Sequence, residues 1–319
     1  MFANALLILP DFATILIGFA LTRWRAYEDT FWRGAERLVY TVLFPALLFQ
    51  SINGAHFSIG AETRLLAATG CAFLGAVVLA FAARRLFSPP ADVFASTVQT
   101  AFRFNSYVGL AVAQTLFGGE GVALFALIVA LIVPAANALA VYALAQHRQT
   151  GLARELAGNP LIIATVAGLL TNLIGWHPPQ PLGALLTRLG QASLALGLLC
   201  IGAGLTLTAA HAQRRLLVYF SAVKLLALPA LAGVLAMVFA LDPLRTQLVI
   251  TFAALPTASS AFVLAARMGG TPAPVAFTVT MQTLVAMITL PIWVSLAPAV
   301  SSAAVSSASH APTTALANH

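Results

Sequence analysis

The chain has 319 residues, 60% of them hydrophobic and only 8% charged, with a formal net charge of +7. An ordinary soluble domain has about a quarter of its residues charged, so this supply cannot build a water-facing surface. A mean hydropathy of +0.93 spread along the chain excludes one core under a polar shell, and arginines that punctuate apolar runs point to a lipid bilayer rather than to nucleic acid.

No Lys or Arg precedes the first apolar run, Ala3 to Leu21, which therefore reads as a retained helix and not a cleaved signal. A membrane span needs about 20 apolar residues. Nine further runs meet that template: Arg37 to Ile52, Leu65 to Phe81, Val93 to Phe117, Val122 to Ala145, Pro160 to Trp176, Leu182 to Leu207, Leu216 to Leu241, Leu244 to Met268 and Pro274 to Leu296. The odd-numbered connections hold Arg23, Arg25, Arg33, Arg37, Arg84, Arg85, Arg148, Arg154, Arg214, Arg215 and Arg267, whereas the even ones hold only Arg64, Arg188 and Arg245. Positive loops stay cytoplasmic, so both termini are expected outside the cytoplasm.

Five spans per half orient the halves oppositely. "LIVPAANAL" around Pro134 returns as "ITLPIWVSL" around Pro291, and "LIGFAL" around Gly18 as "VAGLLT" around Gly168, at offsets of 157 and 150. The expected fold is an all-α integral membrane protein of ten helices in two inverted repeats. Its parts are a first repeat at 1–146, a cytoplasmic linker at 147–158, a second repeat at 159–297 and an extracytoplasmic tail at 298–319. The Ala/Ser/Thr-rich stretch from Ser301, without a charged side chain, is expected to be disordered.

Two basic residues lie deep within spans, Arg103 in the fourth and Lys224 in the eighth. A cation at the bilayer centre costs about 2.5–3.5 kcal/mol, so it marks a substrate path or serves a helix break. The fourth run, "TAFRFNSYVGLAV", is poor continuous helix, because Arg103, Asn105 and Ser106 interrupt it and Gly109 follows. In the ninth, "FAALPTASSAFVLA", Pro256 removes a donor beside the hydroxyls of Thr257, Ser259 and Ser260. Breaks in equivalent spans of both halves suggest a site where helix ends and freed backbone groups meet substrate. Asn137, Gln191, Gln282 and Thr283 are uncharged polar residues within spans that could line it. Asp11 is the acidic residue of the first run, and the other carboxylates lie in or beside loops. Sodium or proton coupling is therefore not visible. Cys71 and Cys200 have no metal-ligand spacing, and no HExxH motif or Asp-rich site occurs, so neither a cofactor nor an enzyme is expected.

The strings "LVYTVLFPALLFQSI", "FRFNSYVGLAVAQTLFGGEGVALFAL", "NPLIIATVAGLL", "VKLLALP" and "ALPTASSAFVLAARMGG" resemble the auxin efflux carrier family, from about Leu6 to Leu296. The resemblance implies a permease with broken fourth and ninth helices that cross at the substrate site. In it Pro256 is the ninth-helix crossover proline, Lys224 the basic residue of the eighth helix and Asn105 part of the fourth-helix break. It also implies a bacterial inner-membrane location and a homodimer. Ala111 stands where many members have proline, so the fourth-helix break must rest on Gly109 and the Asn105–Ser106 pair. The expected function is alternating-access transport of a small organic anion, a carboxylate, with Lys224 and Arg103 supplying positive charge; a receptor or channel of the same fold is the alternative. A C-terminal fluorescent reporter that matures only in the cytoplasm should stay dark, and bright fluorescence would overturn this topology.

Overall fold

The computed structural model describes residues 9–24, 27–54, 59–144, 160–205, 213–258 and 260–309. Every regular element among the described residues is helical. In chain order they are α1 (Leu9–Arg23), α2 (Asp29–Leu38), α3 (Phe44–Asn53), α4 (Ile59–Phe87), α5 (Ala91–Thr97), α6 (Ser106–Leu144), α7 (Pro160–Leu173), α8 (Gln180–Ala203), α9 (Arg214–Ala222), α10 (Leu228–Val238), α11 (Pro243–Ala254), α12 (Ser260–Arg267) and α13 (Pro272–Ser309). A spanning chain must satisfy its backbone polar groups internally, and helices do so segment by segment. Five helical stretches, Ala61–Phe87, Ala91–Leu144, Gln180–Ala203, Arg214–Val238 and Pro272–Pro298, are long and apolar enough to cross a membrane. The chain is a multi-pass membrane protein.

Local sequence explains where these helices bend. The 54 residues from Ala91 to Leu144 would make a straight helix of about 80 Å, far beyond a hydrocarbon core of about 30 Å. They are divided by a non-helical segment before Ser106 and by Gly118, whose φ of 63° splits α6 in two. Five-residue π-helical turns at Val39–Leu43 and Val223–Ala227 each precede a proline, Pro45 and Pro229. Proline lacks an N–H and crowds the turn before it, and the bonds shift register: Phe44 N–H donates to the Val39 carbonyl and Leu228 N–H to that of Val223.

Two groups of helices emerge from the packing. In one, α1 lies against α8, α3 against α7 and α8, and α2 against α8. The other joins α4, α10, α11, α12 and α13, with α5 against α13. Contact between the groups runs chiefly through α6, which touches α1, α3, α7 and α8 on one side and α4, α5 and α11 on the other. Within the first group α1 and α8 meet at glycines: a Cβ on Gly18 would run into the Leu199 backbone, and one on Gly202 into the Ile15 carbonyl. Small residues at such crossings give helices in lipid their close packing. In the second group Arg245 pairs with Glu62 on α4 and with Asp242, whose carboxylate also caps the start of α11.

The last helix runs on to Ser309 and so takes in residues 298–309, which composition read as part of an unstructured tail. Alanine is the best helix former, and a helix already propagating recruits an Ala-rich continuation. The linker at 147–158 and residues 310–319 lie outside the described residues.

Candidate functional site

Two interruptions face each other in the second group. After α5 a 3₁₀ turn, Val98–Ala101, gives way to non-helical residues 102–105 before α6 begins. After α11 the chain is non-helical at 255–258 before α12. Each interruption frees backbone groups that must find partners away from water.

Asn105 makes the first break possible. Its Oδ1 accepts the N–H groups of Tyr107 at 3.0 Å and Val108 at 3.3 Å, capping α6. Its own N–H donates across the gap to the Pro256 carbonyl at 2.8 Å, so the breaks are joined backbone to backbone. Thr257, fully buried, donates from Oγ1 to the Thr100 carbonyl at 2.6 Å and shares that proton with the Arg103 carbonyl at 3.3 Å. Its N–H donates to Gln282 Oε1 at 3.1 Å, and Gln282 Nε2 returns a bond to the Thr100 carbonyl at 3.1 Å. Gln282, on α13, thus bridges both breaks. Gly109 permits the approach, since a Cβ there would strike the Phe125 ring and the Leu255 side chain.

Lys224 lies in the π-helical turn between α9 and α10 and is fully buried. Its Nζ donates to the Ala253 carbonyl at 3.0 Å, at the end of α11, and stands 5.9 Å from the centre of the Phe252 ring. Helix C-termini carry partial negative charge, and this ammonium answers one of them. Arg103 is different: it is only half-buried, its Nη1 donating to Gln99 Oε1 at 3.2 Å and its Nη2 to the exposed Ser260 hydroxyl at 3.0 Å. The carbonyl ends of the two first halves are thus covered by Thr257, Gln282 and Lys224. The other two ends at the crossing are N-terminal and carry partial positive charge: that of α6, which the neutral Asn105 side chain caps, and that of α12, with Arg103 beside them.

Of the residues singled out from sequence, the structure brings together Arg103, Asn105, Ser106, Gly109, Pro256, Thr257, Ser260, Lys224 and Gln282. Ser259 lies outside the described residues. Asn137 is half-buried on α6 and makes none of these bonds, and Gln191 is exposed on α8 in the other group of helices. Thr283 bonds within its own helix, to Val279. Asp11 accepts from the Thr115 hydroxyl at 3.2 Å and so links α1 to α6. Sequence reasoning missed Gln99, which is fully buried, donates to the Ala261 carbonyl at 3.2 Å and orients Arg103. Its position four residues before Arg103 was the available signal.

Residues 148–294, just under half of the chain, match the family described as membrane transport protein. A protein of Rhizobium meliloti (strain 1021) named "Putative malonate transporter" is 30% identical over 141 residues, 44% of this chain and 44% of that protein. The match therefore spans less than half the length of this curated relative. Both findings are similarities to membrane transport proteins over part of the chain. They agree with the resemblance to the auxin efflux carrier family for the strings that fall within residues 148–294.

Lys224→Ala would leave the Ala253 carbonyl without its donor, and it should lower stability by about 1–3 kcal/mol. Asn105→Ala should cost about 1 kcal/mol through the lost cap. Thermal unfolding in detergent measures both, and an unchanged Lys224→Ala melting temperature would show that the lysine does not hold this helix end.

Proposed function

We propose that the protein is a secondary transporter that carries a small carboxylate across the membrane by alternating access, with the substrate held where the two helix breaks cross. In this reading the chain forms ten spans in two inverted repeats, 1–146 and 159–297, joined by a cytoplasmic linker at 147–158, with both termini extracytoplasmic. It assembles as a homodimer.

The observation that carries the reading is the distribution of charge around the four helix ends. Donors from Thr257, Gln282 and Lys224 meet the carbonyl ends, while the N-terminal ends of α6 and α12 adjoin Arg103 and the Ser260 hydroxyl. The helix N-termini and the guanidinium together give a local field that favours an anion. The guanidinium fork matches a carboxylate in two parallel hydrogen bonds. Arg103 is accordingly the counter-charge, and Gln99, which accepts from its Nη1, is a positioning residue. Lys224 holds the end of α11 and meets the anion only through the geometry it maintains. The name of the Rhizobium relative supports a dicarboxylate of malonate size. Packing of the two helix groups mainly through α6 supports displacement of one against the other as the access step.

Counterflow in proteoliposomes tests the reading. Vesicles loaded with malonate should take up labelled malonate saturably, whereas a channel or receptor of this fold would show no counterflow. Arg103→Gln should weaken apparent affinity roughly 10- to 100-fold, the loss of a charged hydrogen-bonding partner, and Arg103→Lys should restore part of it. Wild-type affinity in Arg103→Gln would remove the arginine from the site. Absence of saturable exchange with malonate and succinate in the wild type would remove the substrate class.

A further inference from the structure

We propose that α2 and the adjoining face of α8 form a binding site for one acidic phospholipid, its headgroup on Arg33 and Arg37 and an acyl chain in the groove beside them. The proposal rests on the membrane class of the protein and not on the transport reading.

α2 has the sequence DTFWRGAERL. At 100° per residue its positions sort into two faces. Trp32 and Ala35 are buried and pack with Cys200, Leu21, Leu196, Leu199 and Ala203, so one edge of the apolar face is sealed against α1 and α8. The rest of that face is open. Phe31 is 46% exposed and Leu38 46%, and with Thr30, Gly34, Ala35 and Leu196 they line a groove of about 330 Å³. A Cβ on Gly34 would meet no atom within 4 Å, so the floor of the groove is clear.

The polar face decides the occupant. Arg33 and Arg37 stand one turn apart on the side that adjoins Thr30 and Gly34, and both are exposed. The ion pairs among the described residues are those of Arg245, so neither arginine has a carboxylate partner there. Asp29 and Glu36 fall at the far edge of the polar face, toward Trp32, and Glu28 accepts from the Thr30 hydroxyl at 3.2 Å. Trp24, 78% exposed, and Tyr27, 48% exposed, flank the helix with the amphipathic aromatic surface that settles at headgroup depth. An apolar trough with two guanidinium groups on one lip, neither in an ion pair among the described residues, fits an anionic head joined to a hydrocarbon tail.

Native mass spectrometry of the full chain in detergent, titrated with dioleoylphosphatidylglycerol and separately with dioleoylphosphatidylcholine, tests the site. The wild type should retain the acidic lipid in preference to the neutral one. Arg33→Gln/Arg37→Gln should weaken that retention at least tenfold, and Gly34→Leu, which fills the groove without displacing protein, should weaken it comparably at an unchanged melting temperature. Arg84→Gln/Arg85→Gln, at the end of α4, should behave as wild type. Equal retention of the two lipids, unchanged retention in either α2 variant, or equal loss in the α4 control overturns the proposal. Loss of a dimer mass in Gly34→Leu with lipid retention unaltered assigns the groove to a second copy and overturns it as well.

Discussion

A peptide group freed from its helix inside hydrocarbon has no water to turn to, and leaving it unpaired costs several kcal/mol. The crossing of the two breaks is organised by that constraint. The Asn105 N–H to Pro256 carbonyl bond couples the breaks directly, and Gln282 reaches both from a third helix. Break, partner and bridging residue are therefore interdependent: each segment can be irregular only because the other supplies its missing bonds. The aromatic packing around them, with Phe104 and Phe252 edge to face at 4.7 Å, excludes the water that would otherwise compete.

The same constraint gives the crossing its sign. Side chains with donors were placed against the carbonyl ends, one of them a lysine whose full burial would be costly without an acceptor. Positive ends are left near an arginine that remains partly open. A contrast in rigidity surrounds this centre. α1 and α8 are locked by backbone-close glycine contacts, whereas the join to α6 relies on side chains, including the Phe44–Tyr107 stack at 4.6 Å and the Asp11–Thr115 bond. Side-chain contacts of this kind can be exchanged during a sliding motion, and backbone-close ones resist it.

Much of this was legible in the chain itself. Long apolar runs and their punctuation carry the membrane class, because the bilayer imposes both length and polarity. Breaks at Asn105 and Pro256 were visible because a capping residue and a missing donor in mid-span are local facts. The bond that Lys224 makes to the Ala253 carbonyl was not. The depth of this lysine marked it as unusual and led to its expectation as the anion's counter-charge, but whether an ammonium meets a ligand or a carbonyl depends on which helix end packs opposite, which is tertiary information. Gln99 was hidden for a similar reason: its acceptor, the Ala261 carbonyl, lies 162 positions away. The exposure of Gln191 on α8 was hidden because periodicity gives a helix two faces without saying which one its neighbours cover. The π-helical turns before Pro45 and Pro229 had a local cause, yet the choice between a kink and a widened turn is made by packing.

The central claim is that the crossing selects an anion through Arg103 and the two N-terminal helix ends, with Lys224 occupied in holding α11. Cryo-electron microscopy of the protein saturated with malonate tests it most directly. The account predicts ligand density between the Arg103 guanidinium and the starts of α6 and α12, with the Lys224 ammonium still on the Ala253 carbonyl. Density lying against Lys224 with that bond broken, or away from the crossing altogether, would contradict it.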